Sequence, residues 1–194
     1  ASPEGNRPFI DRFSLDTFKT KRLWRSKAPF YEYPAEILNI KKKRILITRE
    51  SKTVQPNYYI SRMKRGKLKQ VTFFPHPYEA LKGVEKQFIK FKRSDGLDLT
   101  GNLYLPAGYK VSDGPLPAFI WAYPREFKSR RSAGQVSVSP YRFTRMRIGS
   151  AIPLVTRGYA VFDRVSMPIV GEGEKEPNDT FVEQLVDNAR AAID

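Results

Sequence analysis

Cysteine is absent from this chain of 194 residues, so it forms no disulfide, holds no thiolate-bound metal and offers no Cys nucleophile. Redox chemistry therefore assigns it no compartment. Histidine occurs once, as His76 between two prolines. A lone imidazole with no second His or Cys does not build a zinc site of the usual kind, and a packing or solvent-facing role is the simpler reading. Long hydrophobic runs are missing too. The longest, such as Pro117 to Tyr123, fall far short of the roughly 20 apolar residues that a bilayer span needs. The first residues show no basic-then-apolar leader pattern, and no crossing or anchoring in a membrane is expected.

What is present is enough for a packed core. Hydrophobic residues make up 40% of the chain and aromatics 13%, with thirteen Phe and ten Tyr, which excludes wholesale disorder. Lys and Arg together number 35 against 20 Asp and Glu, and the formal net charge of +15 favours anionic partners. The excess is uneven. Residues 1–84 hold 19 basic and 7 acidic residues, whereas residues 85–194 hold 16 and 13. Within the second part, seven basic residues and one Glu lie between Arg125 and Arg147, and seven acids against two bases lie between Glu172 and Asp194.

Alternation of apolar and polar residues from Pro8 to Asp16, a turn at Asp16-Thr17 and a second run through Lys21 to Trp24 predict a β-hairpin. Alternation returns at Arg44 to Arg49 and Asn57 to Arg62, and after a turn at Lys64-Arg65-Gly66-Lys67 it resumes from Leu68 to Phe74. Short strands at this spacing suit antiparallel sheet, either half of a sandwich or the blades of a propeller, which take about 40 to 45 residues each. No second clear copy of a repeat is visible, so at most the last one or two blades are expected. Pro75-His76-Pro77-Tyr78 is a stiff connector, and a domain boundary is placed near residue 84.

Beyond that boundary, Lys86 to Phe91, the Ser94-Asp95-Gly96 turn and Leu97 to Leu105 read as a second hairpin. Two continuously apolar strands follow, Pro117 to Ala122 and Tyr159 to Phe162, of the kind covered on both faces in a mixed α/β sheet. Asn178 is a plausible N-cap for an amphipathic helix with Phe181, Val182, Leu185, Val186, Ala189 and Ile193 at helical spacing. A domain that lays down a hairpin, two buried strands and a helix is incomplete as an α/β sheet, and a truncated chain is expected.

Specific residues now narrow the field. Ser94 to Tyr109, Leu116 to Pro124, Tyr123 to Ser129, Ala133 to Val136 and Pro168 to Glu174, with Asn178-Asp179 and Val182 to Val186, together resemble the prolyl oligopeptidase family of serine peptidases, in its glutamyl endopeptidase-like branch. The resemblance covers most of residues 6–194, and its motifs are specific in combination and weak singly. It implies a β plus α/β fold: residues 1–84 as the last antiparallel strands of a β-propeller, and residues 85–194 as the N-terminal part of an α/β-hydrolase domain. It also implies an enzyme acting on short or unfolded peptides, with cleavage after Glu, without cofactor or metal. The family's nucleophile sits in a Gly-x-Ser-x-Gly elbow that follows the helix where this chain ends. No serine here lies in that motif, Arg147-Ile148-Gly149-Ser150-Ala151 being the nearest miss. Without the Ser-His-Asp triad, the segment alone is expected to be inactive, and the rest of the hydrolase domain is expected in a longer chain.

Tyr123 matches the family's Tyr just after the third hydrolase strand, whose hydroxyl is an oxyanion-hole donor. Recognition of an acidic side chain calls for a cation, best an Arg fork, and Arg125 and Arg147 are the candidates in the basic cluster. Glu172, in the Gly171-Glu172-Gly173 stretch, is a candidate for facing substrate. The acids Glu172, Glu174, Glu176 and Asp179 lack the spacing of a calcium loop, and Glu176 and Asp179 suit the favourable start of a helix. The competing class is a basic, non-catalytic binding module for nucleic acid or acidic partners, prompted by Lys41-Lys42-Lys43-Arg44. The aromatics at strand-alternating positions and the lack of an RNA-recognition or OB-fold signature count against nucleic acid.

Overall fold

In the computed structural model, which describes residues 5–64, 67–136 and 138–194, β1 (Phe9–Phe13) and β2 (Thr20–Arg25) pair antiparallel, as the alternation predicts. They belong to the first of two compact units, Ala1–Glu79 with Ser137–Arg145; the second is Ala80–Val136 with Met146–Asp194. A segment that the sequence reading assigned wholly to the second part thus folds with the first.

The first unit also holds an antiparallel meander of β3 (Tyr31–Asn39), β4 (Arg44–Glu50), β5 (Asn57–Arg62) and β6 (Lys69–Gln70), paired in that order. β3 has no counterpart in the sequence reading. Pro34 breaks its pattern, and two register shifts bend it against β4. Both are tolerated because β3 is an edge strand, where a missing N–H faces away from the ladder. The strand expected over Leu68–Phe74 shrinks to two residues, because side chains replace the ladder beyond it. Tyr58 N donates to Thr72 Oγ1 at 2.9 Å, and Asn57 Oδ1 accepts from Thr72 Oγ1 at 2.8 Å and from Phe74 N at 2.9 Å. The turn expected at Lys64–Lys67 includes Arg65 and Gly66, which lie outside the described residues. Trp24, Ile45, Ile47 and Met63 form the buried core of this unit, with Ile10, Leu23 and Tyr59 packed against it.

The returning segment docks on a buried charge. Glu50 is 2% exposed and accepts from Phe143 N at 2.8 Å and Arg145 Nη2 at 3.3 Å, with Arg142 Nε 3.7 Å away. The Arg142 guanidinium also lies over the Tyr31 ring, 4.6 Å from its centroid.

In the second unit β7 (Glu85–Lys92) and β8 (Asp98–Leu105) form the expected hairpin, and the sheet runs β7-β8-β10-β9, with β9 spanning Ala118–Phe127 and β10 spanning Ala160–Val170. Among the described residues of this sheet, only the β9–β10 pair is parallel. β10 is buried or half-buried along its length except at Arg164. β9 is not: Phe119, Ile120, Trp121 and Tyr123 are exposed, because β9 is the sheet's edge among the described residues. A short helix, α1 (Arg130–Ala133), follows β9, and α2 (Phe181–Ile193) follows a 3-10 turn at Pro177–Thr180. The N-cap of α2 is Thr180 rather than Asn178. Among the described residues no helix is long and apolar enough to cross a membrane.

Candidate active site

Tyr123 lies inside β9 rather than after it. Its backbone is set opposite Ser166 of β10, whose hydroxyl is in turn 3.2 Å from Thr100 N and 3.1 Å from Thr100 Oγ1 on β8. Three strands therefore fix the position of its Cα, while its side chain is 80% exposed. Arg125, two residues on, points to the same side of the pleat and is also exposed.

The basic cluster from Arg125 to Arg147 divides by partner. Arg142 and Arg145 face Glu50 in the first unit. In the second unit Lys128 pairs with Glu176, and Arg130 Nη1 reaches Asp95 Oδ2 at 2.5 Å. Among the described residues, no acid pairs with Arg125, Arg131 or Arg147. The two Arg candidates named from sequence are thus among the three cations still able to receive a carboxylate from elsewhere, and Arg131 joins them.

Glu172 is occupied on one oxygen, since its Oε1 accepts from the backbone N of Arg130 at 2.9 Å. Asp179 Oδ2 accepts from Glu176 N at 2.9 Å, which engages this carboxylate in the loop's own turn. Gly171 is needed where this loop folds over: a Cβ there would stand 2.5 Å from Lys175 O and 2.6 Å from Pro177 N.

Beneath these residues lies a polar cluster that sequence reasoning missed. Arg93, 5% exposed, follows β7 and donates to both carboxylate oxygens of Asp95, to Pro168 O, to Gln184 Oε1 and to Asn188 Oδ1. Hydrogen bonds from Arg93, and then from Arg130 and the Leu97 amide, hold the Asp95 carboxyl well below the usual carboxylate range. Asp95 was legible only as a turn residue, and nothing in the spacing of Arg93 marks it as buried. Asp163 on β10 has the opposite character: burial raises its pKa, against the pull of Arg164 and Lys86.

His76 is a packing residue. Its Nδ1 accepts from Tyr78 N at 3.1 Å and its ring meets Phe143 edge-on at 5.1 Å.

No family model matches the chain. Over its whole length, however, the chain is 43% identical to a probable chloroplastic glutamyl endopeptidase of Oryza sativa subsp. japonica and 41% identical to one of Arabidopsis thaliana. It spans about a fifth of each, 22% and 21%. Among solved structures, it superposes on oligopeptidase B from Trypanosoma brucei with covalently bound antipain (TM-score 0.56, 17% identity, 99% of this chain and 27% of that one). A post-proline cleaving enzyme from Rickettsia typhi matches with a TM-score of 0.52 at 18% identity, over 95% of this chain and 25% of that one. At such identities these structures speak for the fold.

Proposed function

We propose that the chain is a segment of a glutamyl endopeptidase-like serine peptidase of the prolyl oligopeptidase family, and that it supplies the oxyanion donor and the acid-recognising cations for cleavage of peptides after Glu. The four-stranded meander from Tyr31 to Gln70 is a propeller blade, and β7 to α2 are the first strands and helix of the hydrolase domain. The outer edge of β9 is where the remainder of that domain continues the sheet. The propeller limits access to short or unfolded peptides.

The observation that carries this reading is an exposed phenol and, on the same strand, an exposed guanidinium that no acid among the described residues pairs with. In the complete protein, the elbow Ser attacks the scissile carbonyl while His takes its proton. The Tyr123 hydroxyl donates to the oxyanion as charge develops there, together with a backbone N–H. Arg125, assisted by Arg147, offers a bidentate fork to the Glu side chain of the substrate. Glu172 serves the same site by holding the segment that follows β9.

Alone, the segment is inactive. It has no elbow Ser, and its one imidazole is engaged in packing with Nδ1 already accepting a hydrogen bond. Labelling with a fluorophosphonate probe, followed by mass spectrometry, tests both statements. The complete protein carries the label on a serine outside residues 1–194, and the isolated segment stays unlabelled. A complete protein that resists the probe while folded would overturn the peptidase reading.

A further inference from the structure

Arg93 is the most committed charge of the second unit. Its side chain is 4% exposed, and a buried cation persists only where it is paired and hydrogen-bonded. Nε and Nη2 take the two oxygens of Asp95 at 3.0 and 2.8 Å, while Nη1 reaches Pro168 O at 3.3 Å and both Gln184 Oε1 and Asn188 Oδ1 at 3.2 Å. Asn188, fully buried, donates to the same Pro168 carbonyl at 2.9 Å, and Gln184 brackets Val170 through its N and O at 2.9 Å each. The turn after β7, the end of β10 and one face of α2 are therefore tied at one guanidinium.

This fixed point reaches β9 through Asp95. Arg130 sends Nη1 to Asp95 Oδ2 at 2.5 Å and Nη2 to the Asp95 carbonyl at 2.9 Å, while its backbone N is held by Glu172. Arg130 stands three residues past the end of β9. The exit of β9 is thus held by two carboxylates, Asp95 through the buried Arg93 and the Arg130 side chain, and Glu172 through the Arg130 backbone N.

We propose that Arg93, Asp95, Arg130 and Glu172 are positioning residues that fix the exit of β9 and so aim the Tyr123 hydroxyl and the Arg125 guanidinium at the substrate. This rests on the reading of Tyr123 as an oxyanion donor. None of the four touches the reacting atoms. Their contribution is to remove the small displacements of β9 that, at an angstrom or so, cost on the order of 100-fold in rate.

A double-mutant cycle in the complete peptidase tests it, with Tyr123→Phe, Arg130→Ala and the pair. Arg130→Ala is expected to lower kcat by about 10- to 100-fold through Tyr123 and, because Arg125 is misaimed with it, to raise KM for a Glu peptide as well. In that background, Tyr123→Phe is expected to lose most of its own effect, because a misaimed hydroxyl has little left to lose. Asp95→Asn breaks the same chain elsewhere and should show the same coupling, which covers the case in which Arg130→Ala does not fold. If Tyr123→Phe lowers kcat but the single losses multiply in the double variant, positioning is overturned and the oxyanion reading stands. If Tyr123→Phe alone leaves kcat unchanged, the oxyanion reading itself fails, and this inference with it.

Discussion

Tyr123 was proposed from the motif around it, and Arg125 and Arg147 from the basic cluster that follows it, because both signals are local in sequence. What the sequence could not supply was which cations already have partners. Glu50 lies more than 90 residues before Arg145, and Asp95 lies 35 before Arg130, so the removal of Arg130, Arg142 and Arg145 from the free set follows only from the fold. Two predictions belong to this scale. Tyr123→Phe in the complete protein should lower kcat by roughly 100- to 1000-fold, the usual worth of one oxyanion donor, with little change in KM. Arg125→Glu should lower kcat/KM for a peptide with Glu before the scissile bond by roughly 10- to 100-fold, the scale of a charge-assisted hydrogen bond. A matched Gln peptide should be far less affected. Steady-state kinetics on the two peptides decides it, and an unchanged Glu-to-Gln ratio would remove Arg125 from recognition.

Among the elements, strands with clean alternation and no Pro were legible, whereas β3 was hidden by Pro34 and by its bulges. The helix was legible in place but not in facing. The apolar stripe predicts that Val182, Val186 and Ile193 turn inward, yet all three are exposed. The fully buried residue of α2 is Asn188, and the reason is Arg93: its guanidinium needs acceptors, and Gln184 and Asn188 supply them one turn apart. A buried polar requirement has thus outweighed part of an apolar stripe. The shortened β6 follows the same logic, since Asn57, 5% exposed, substitutes for the ladder by accepting two hydrogen bonds. Asn57→Ala would leave Thr72 Oγ1 and Phe74 N without that partner and should cost about 1–3 kcal/mol in urea unfolding. A loss within experimental error would mean that water replaces the carbonyl there. Gly171→Ala should likewise destabilise, because backbone atoms rather than a movable side-chain tip occupy the space its Cβ would need.

At the scale of the molecule, the second unit holds two carboxyls shifted in opposite directions, and they give opposite pH signatures. Asp95 is held ionised by Arg93, Arg130 and the Leu97 amide. Its folded pKa is below the unfolded value of about 3.9, so its contribution is present above that value and is lost as pH falls through the folded pKa. Asp163 is raised mainly by burial. Its contribution is full below about pH 3.9 and is lost as pH rises through its folded pKa, so at neutral pH its ionised form opposes folding. Two substitutions of similar size therefore separate the effects. Asp95→Asn should lower the urea midpoint at pH 7, and the deficit should narrow as pH is taken below about 4. Asp163→Asn should raise the midpoint at pH 7 by removing a buried charge, and the gain should vanish as pH falls from the folded pKa of Asp163 to about 4, before the Asp95 deficit begins to narrow. Midpoints at about pH 7, 5 and 3.5 follow the Asp163 gain, and a further point at about pH 2 follows the closing of the Asp95 deficit. If both variants lose stability in parallel at every pH, charge burial is not what distinguishes the two sites, and the amide introduced by Asp163→Asn lacks the hydrogen bonds it needs. If they diverge at pH 7 and converge in acid, the strand that bears Asp163 carries an electrostatic cost beside the Asp95 network, which stabilises the same sheet.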